Sequence, residues 1–235
     1  FMQGNSAALT ASQKRGLDVF KNKGKCINCH AGAEFTKASV QNVKNQPLER
    51  MPMAQGVAVY DNGFYNIGVR PTKEDIGLGG KDPFGNPLSM TGLAQKKGAP
   101  FPDVPGEDGA PSGPLSPNER IAVDGAFKTP TLRNIELTAP YFHNGGQRTL
   151  KQVVEFYNRG GDFHDENIAN LDPDIERLNL NTQEQNDLVA FMKSLTDPRV
   201  ETDKAPFDHP QLFIPNGHVG DHNSVVSVQV NSNTR

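Results

Sequence analysis

The sequence predicts a mainly α-helical domain at residues 1–198, with a long insertion at about 38–125 and an irregular C-terminal extension at 199–235. Capped segments with helical spacing of apolar residues predict the helices. Residues 77–117 hold nine Gly and eight Pro, which predicts an ordered loop rather than a helix. The extension has no helical period, although 225–230 alternates loosely and predicts a strand.

Each of the three predicted helices has a Thr that can cap its N-terminus, an apolar face, and a Gly or Pro shortly after its last turn. They span 10–23 (Thr10, Gln13, Gly24), 149–159 (Thr149, Gly160) and 182–195 (Thr182, Gln185, Pro198). Gln13 and Gln185 stand where the partner of a capping box is expected. On the second helix, Tyr157 shares the apolar face with Leu150, Val153 and Val154, so we expect its side chain to point inward.

The insertion has weak periodicity. Two short apolar runs within it, 57–60 and 64–67, flank the turn sequence Asp61-Asn62-Gly63. This pattern predicts a small hairpin.

Charge and hydropathy exclude several function classes. The net charge is -3, the pI is about 6.1 and the basic residues are scattered, so nothing favours nucleic acid or an anionic membrane surface. No apolar run approaches the roughly 20 residues that span a bilayer. The chain begins with Phe1 rather than Met, and we therefore expect a processing point at its start and a longer parent protein.

The two cysteines form the most specific motif. They lie in Cys26-Ile27-Asn28-Cys29-His30, a C-x-x-C-H sequence typical of covalent haem c attachment. The two thiols would add to the haem vinyl groups, and a short helical turn would place His30 beneath the iron as the proximal ligand. A helix that leads directly into this motif is the entry expected of a cytochrome c fold. Because haem c is attached outside the cytoplasm in most bacteria, we expect a periplasmic or extracellular protein.

Three other interpretations of the cysteines are weaker. A thioredoxin-like redox pair needs a βαβ context, which the sequence lacks. A zinc site needs two further ligands, and no second pair recurs at ligand spacing. A structural disulfide rarely spans two residues.

The second axial position of the iron decides between electron transfer and peroxide chemistry. Candidates are Tyr157, the remaining histidines and the methionines Met51, Met53, Met90 and Met192. Met192 is more typical of core packing, whereas Met51 and Met53 lie in an irregular stretch where a ligand is common. From the residues alone, Tyr157 is either an ordinary core tyrosine or a ligand, and the first is favoured.

Two further segments resemble a known family. The run 125–134 contains Thr129-Pro130-Thr131-Leu132-Arg133-Asn134, and 137–145 contains Pro140-Tyr141-Phe142-His143-Asn144-Gly145. With the haem motif, in this order, they resemble the bacterial dihaem cytochrome c peroxidase and MauG-type family over roughly residues 7–198 without the long insertion. The resemblance implies the second, C-terminal haem domain of such a protein.

The resemblance also implies site residues. In that domain the distal ligand stands 17 residues after the Pro that matches Pro140, and it is Met in the peroxidases and Tyr in MauG-type proteins. Tyr157 occupies this position, so the resemblance favours it as distal ligand and implies a low reduction potential. Thr138 and the carbonyl of Pro140 match calcium ligands, although the remaining protein ligand would come from another domain; alternatively they only shape a turn.

Arg133 resembles a buried arginine near the haem propionates, although a structural salt bridge is equally compatible. His143 is a candidate for a residue that supports the haem ligands or handles protons near the haem, with an ordinary structural role as the alternative. The chain has no second C-x-x-C-H motif and no Trp.

We therefore expect a haem c domain that exchanges electrons or oxidising equivalents with a second haem, on another chain or segment, and with a redox partner protein. The first alternative is a free-standing monohaem electron-transfer cytochrome c. The second is a non-enzymatic module that docks through the insertion and the extension.

Overall fold

A computed structural model describes residues 4–106 and 111–207 and the backbone of two strands at 212–215 and 225–228. It divides into two compact units, Phe1–Leu195 and Thr196–Arg235. The helices are α1 Ala11–Lys21, α2 Val40–Asn45, α3 Met90–Lys97, α4 Leu150–Arg159, α5 His164–Asn167, α6 Thr182–Lys193 and α7 Pro198–Glu201. The strands are β1 Leu48–Met53, β2 Gly56–Asp61, β3 Phe64–Tyr65, β4 Asp103–Val104, β5 Gly113–Pro114, β6 Phe127–Lys128, β7 Leu212–Pro215 and β8 Val225–Val228.

Helices α1, α4 and α6 build the main core of the first unit. Helices α1 and α6 lie in close contact, with the ring centroids of Phe20 and Phe191 5.2 Å apart. Gly16 sits at this contact because an added Cβ would lie 1.9 Å from the carbonyl oxygen of Asp187. The strands occur only as two-stranded antiparallel pairs in the described residues. The architecture therefore agrees with the predicted mainly α class.

The helix ends largely follow the predicted capping signals. The capping boxes of Thr10 with Gln13 and of Thr149 with Gln152 are both formed. Gly160 ends α4 with a φ of 84°, a left-handed conformation that glycine adopts without strain. The predicted capping of α6 by Thr182 is wrong, since Asn181 caps the helix and Glu184 completes its capping box.

The predicted hairpin around residues 61–63 is also wrong. Strand β2 pairs with β1, from Leu48↔Asp61 to Met53↔Gly56, so the turn lies one strand earlier. Strand β3 pairs instead with β6, with Tyr65 opposite Phe127. This second pair joins a strand inside the predicted insertion, β3, to a strand that directly follows it, β6.

The Gly/Pro-rich stretch contains a helix, α3, that its composition did not predict. Ser89 caps it, and its hydroxyl accepts a hydrogen bond from the Gly92 N–H. The buried carboxylate of Asp61 accepts hydrogen bonds from the N–H groups of Met90 and Thr91 at 2.6 and 2.9 Å. A distant acidic side chain therefore adds to the N-terminal stabilisation that the local Ser89 cap provides.

The second unit, Thr196–Arg235, begins with α7, which Asp197 caps and in which Pro198 takes the first helical position. This short helix was not expected in the extension. Strand β8 pairs antiparallel with β7, which confirms the predicted strand near residue 225. Every helix of the described residues is too short or too polar to cross a membrane.

Candidate haem site

One cavity of about 400 Å³ collects most of the residues that the sequence singled out. This volume lies within the roughly 300–1,000 Å³ that cofactor sites usually have. Cys26, Cys29, His30 and Tyr157 all line it. Apolar side chains that also line it come from the helical core: Phe20, Leu132, Ile135, Val153, Val154, Leu188 and Met192.

A sharp change of chain direction after α1 presents the C-x-x-C-H motif to this cavity. The Gly24 N–H donates to the Val19 carbonyl oxygen at 2.7 Å. A Cβ on Gly24 would lie 2.8 Å from that oxygen and 3.2 Å from Cys26 Sγ, so only glycine fits. A 3-10 turn, Cys26–Asn28, follows, and the His30 N–H donates to the Cys26 carbonyl oxygen at 2.9 Å.

The imidazole of His30 is held by the backbone. Its Nδ1 lies 3.0 Å from the carbonyl oxygen of Phe35. Burial lowers the pKa of His30, and the carbonyl groups of Phe35 and Pro130 partly oppose this effect. With the proton on Nδ1 and donated to Phe35, Nε2 keeps the lone pair that an iron ligand requires.

Both cysteines are free, and each is half-buried. Burial raises the pKa of Cys26 to about 12, and burial together with the charge of Asp172 raises the pKa of Cys29. These protonated thiols differ from the low-pKa thiolate of a thioredoxin-like pair. Within the described residues, no three or more His, Cys, Asp and Glu side chains form a group that could hold a metal ion.

Tyr157 reaches the cavity from the apolar face of α4, as its spacing predicted. Its ring packs edge-on against Phe156 at 5.2 Å and against Phe142 at 6.2 Å between centroids. Burial is the largest cause that raises the pKa of its phenol, followed by the nearby Cys29 and Cys26. A phenol beside both cysteines is positioned to contact whatever the cysteines hold.

Of the four methionine candidates, only one lines the cavity. Met192 lines the cavity from α6. Met51 and Met53 lie in β1, away from the cavity lining, and Met53 is buried against Ala58 and Ala122. Met90 is partly exposed at the start of α3. The stretch that holds the candidates Met51 and Met53, which was expected to be irregular, is thus a paired strand.

His143 lines the cavity and is fixed on two sides. Its ring stacks on Phe127 with centroids 3.6 Å apart, and its Nε2 lies 2.6 Å from a carboxylate oxygen of Asp75. Thr138 and Pro140 also line the cavity, and the Thr138 hydroxyl donates to the Ile135 carbonyl oxygen at 3.0 Å. The expected burial of Arg133 is not found: this residue is exposed, and its Nε donates to the Ala33 carbonyl oxygen at 2.8 Å.

Several polar residues around the cavity were not assigned to a haem site at the sequence level. Among them, Tyr65, Arg70 and Lys128 line it, and Asp172 is buried close to it. Burial raises the pKa of Asp172 to about 6, and its charge contributes to the raised pKa values of Cys29 and Tyr157. These residues come from irregular segments or from a two-residue strand, which carry no periodic signal.

Curated proteins with related sequences include cytochrome-c peroxidases and MauG proteins. The cytochrome-c peroxidase IdrP1 of Denitromonas iodatirespirans is 32% identical over 217 residues, which cover 89% of this chain and 47% of that protein. The methylamine utilization protein MauG of Methylophilus methylotrophus is 28% identical over 197 residues, which cover 83% of this chain and 40% of that protein. The chain thus spans about half the length of these relatives. No protein-family model matches it.

A solved structure supports the same relationship. A MauG-like protein associated with microbial copper homeostasis shares 26% sequence identity and a TM-score of 0.53, over 87% of this chain and 52% of that one. Sequence and structure comparisons therefore agree with the motifs at residues 26–30, 129–134 and 140–145. The chain belongs to the bacterial cytochrome c peroxidase and MauG family.

Proposed function

We propose that this chain is the haem c domain of a peroxidase-like oxidoreductase and that it exchanges electrons or oxidising equivalents with a second haem. The observation that carries the proposal is the cavity in which Cys26, Cys29, His30 and Tyr157 meet. In this view residues 1–198 form the cytochrome c-like, second haem domain of the parent protein, and 199–235 form its extension. The haem would supply a redox-active iron between His30 and Tyr157.

Each of these residues has a separate role. The Cys26 and Cys29 thiols would anchor the haem through thioether bonds to its two vinyl groups, and His30 Nε2 would serve as a ligand of its iron. Tyr157 would offer its phenol oxygen as a second ligand. Because burial raises the pKa of its phenol, a phenolate there requires a positive charge such as ferric iron. This preference for the ferric state predicts a low reduction potential.

Cationic residues that line the cavity are better placed to pair with the haem propionates than Arg133, which does not line it. Arg70 and Lys128 are the candidates; the Arg70 guanidinium is paired with Glu74 and lies 5.2 Å from the Phe163 ring centroid. Thr138 and Pro140 remain candidates for a calcium site completed by another domain. We further propose that the second haem and a redox partner lie outside this chain and that the protein is exported.

A monohaem electron carrier is the second candidate function. Met192 favours it, because this thioether lines the same cavity and could replace Tyr157 as a ligand. Methionine ligation raises the potential of a haem, whereas phenolate ligation lowers it.

The Tyr157→Phe variant separates the two functions. We expect it to change the ferric visible and EPR spectra and to raise the reduction potential, because an anionic ligand is lost. Tyr141→Phe is the matched control: Tyr141 lines the same cavity, but its hydroxyl donates to the Ile135 carbonyl oxygen at 3.1 Å. Spectra that are unchanged by Tyr157→Phe but changed by Met192→Leu would favour the electron carrier.

A further inference from the structure

Asn167, in α5, has a buried amide whose hydrogen-bonding capacity is fully used. The residue is only 1% exposed. Its Nδ2 donates to the carbonyl oxygens of Arg70 at 3.0 Å and Phe163 at 2.6 Å. Its Oδ1 accepts from Asn66 Nδ2 at 2.9 Å and from the Thr72 hydroxyl at 2.6 Å. Because a side-chain amide offers two donors and two acceptor positions, all of them are occupied.

The contacts of Asn167 fix an irregular segment, 66–72, that forms part of the cavity wall. None of its residues lies in a helix or a strand. The residues of this segment that line the cavity are Ile67, Val69 and Arg70. Both ends of the segment and the carbonyl group of Arg70 bond to the Asn167 amide. A buried side-chain network, rather than regular secondary structure, therefore holds this part of the wall in place.

The guanidinium of Arg70 stands at the edge of the cavity with N–H groups that remain available. Its side chain is 45% exposed, and its Nη2 is paired with Glu74. Its Cζ lies 5.2 Å from the Phe163 ring centroid, which is a cation–π contact. Its Nε and Nη1 have no hydrogen-bond partner among the residues that the structure describes. Because Asn167 bonds to the backbone of both Arg70 and Phe163, the same amide holds the cation and the ring over which it lies.

The other cation considered for the propionates is held differently. Lys128 lines the cavity, but it is exposed, and its ammonium group forms no ion pair with a described residue. A lysine is a point charge on a flexible stem, whereas the planar guanidinium of an arginine can meet a carboxylate with two parallel N–H groups. Such a bond depends on orientation. Of these two cations, Arg70 is the one whose backbone is fixed by a buried amide.

We propose that Asn167 is a positioning residue, which holds the Arg70 guanidinium where it binds a haem propionate and raises the reduction potential of the haem. The proposal rests on the proposed function, because that function supplies the haem. Reduction adds one electron to the iron, and a nearby positive charge favours the form with the additional negative charge. Loss of the guanidinium, or of the amide that orients it, therefore lowers the potential.

The test is a spectroelectrochemical titration of the haem-containing protein. Arg70→Gln should lower the ratio of reduced to oxidised haem at a fixed applied potential by about tenfold, which corresponds to about 59 mV for a one-electron couple. Asn167→Ala should shift the potential in the same direction and by most of this amount, although the charge of Arg70 remains. The double variant should shift no further than Arg70→Gln alone, because Asn167 acts through Arg70.

Two further variants distinguish this role from the general cost of losing a buried amide. Thr72→Val keeps the shape of the side chain but removes one donor to Asn167 Oδ1, so it should give a smaller shift in the same direction. Asn62→Ala is the matched control and should keep the original potential. Asn62 is 5% exposed and its Nδ2 donates to the Gln46 carbonyl oxygen at 2.9 Å, but it does not line the cavity. All proteins are compared at equal content of covalent haem.

The outcomes separate the two proposals. A haem-containing Asn167→Ala protein with the original potential would overturn the positioning role, as would shifts that add in the double variant. Should Asn167→Ala fail to fold, an unchanged potential of the Thr72→Val protein overturns it. A shift with Lys128→Gln but none with Arg70→Gln would assign the propionate to Lys128 and overturn it as well. Each of these results leaves the proposed function intact, whereas an original chain that never acquires covalent haem would overturn the proposed function.

Discussion

Replacing Gly16 with Ala tests how closely the helices that support the cavity must pack. Gly16 is buried in the middle of α1 and faces α6. An added methyl group would lie 1.9 Å from the Asp187 carbonyl oxygen and 2.7 Å from Phe191 Cβ. The first atom belongs to the backbone of α6, and the second is the first side-chain carbon of Phe191, so no rotamer change can relieve the contact. The two helices would have to separate.

Two opposing effects set the magnitude. Alanine is favoured over glycine in a helix interior by about 1 kcal/mol. Overpacking a well-packed core typically costs about 1–3 kcal/mol, and a clash with backbone belongs at the upper end. We therefore expect Gly16→Ala to lower the free energy of unfolding by about 2 kcal/mol, as the difference between these two values.

Urea unfolding of the haem-containing protein, followed by circular dichroism, measures this change. Gly113→Ala is the control, because a Cβ on Gly113 meets nothing within 4 Å. That substitution should stay within about 0.5 kcal/mol of the original protein. An equally or more stable Gly16→Ala protein would refute the close packing of α1 on α6.

Two further predictions concern side chains that hold helices in place. The Arg15 guanidinium lowers the pKa of Asp187 to about 2, whereas an Asp in an unfolded chain has a pKa of roughly 3.9. The ionised Asp187 therefore stabilises the fold above pH 4, and this contribution disappears as the pH falls towards 2. The urea midpoint of the Asp187→Asn protein should change less between pH 5 and pH 2 than that of the original protein. The same pH dependence in both proteins would contradict the assignment. Asp61→Ala leaves the N–H groups of Met90 and Thr91 without their acceptor and should destabilise α3 by about 1–3 kcal/mol. Faster amide exchange at the start of α3 would show this, and unchanged protection would contradict it.

The sequence predicted those structural features that neighbouring residues determine. The starts of α1 and α4 were predictable because each capping box lies within four residues. At α6 two overlapping pairs fit the same pattern, Asn181 with Glu184 and Thr182 with Gln185, and the first is formed. Sequence spacing alone could not choose between them.

The errors arose where a residue acts over a long distance. Asp61 was assigned to a local turn, but its carboxylate caps α3, almost thirty residues later. Pro52 made β1 an improbable strand, although a proline is tolerated in a strand paired on one side. A long-range contact decides the first feature, whereas β1 forms a local hairpin with β2 whose turn at 54–55 was not recognised in the sequence.

The candidate site shows the same contrast. Cys26, Cys29 and His30 form a contiguous motif, and the helical spacing that places Tyr157 inward is local as well. Tyr65 and Lys128 reach the cavity because β3, which lies inside the insertion, pairs with β6 more than sixty residues later. No pattern in either segment indicates that pairing.

The most direct test of the central claim is the mass of the denatured chain after expression with export and haem attachment. The account predicts the polypeptide mass plus one covalently bound haem, with the haem on the peptide that contains Cys26 and Cys29. The double variant Cys26→Ser, Cys29→Ser should have the bare polypeptide mass. A bare mass for the original chain, or a haem retained by the double variant, would contradict the assignment of this cavity to haem c.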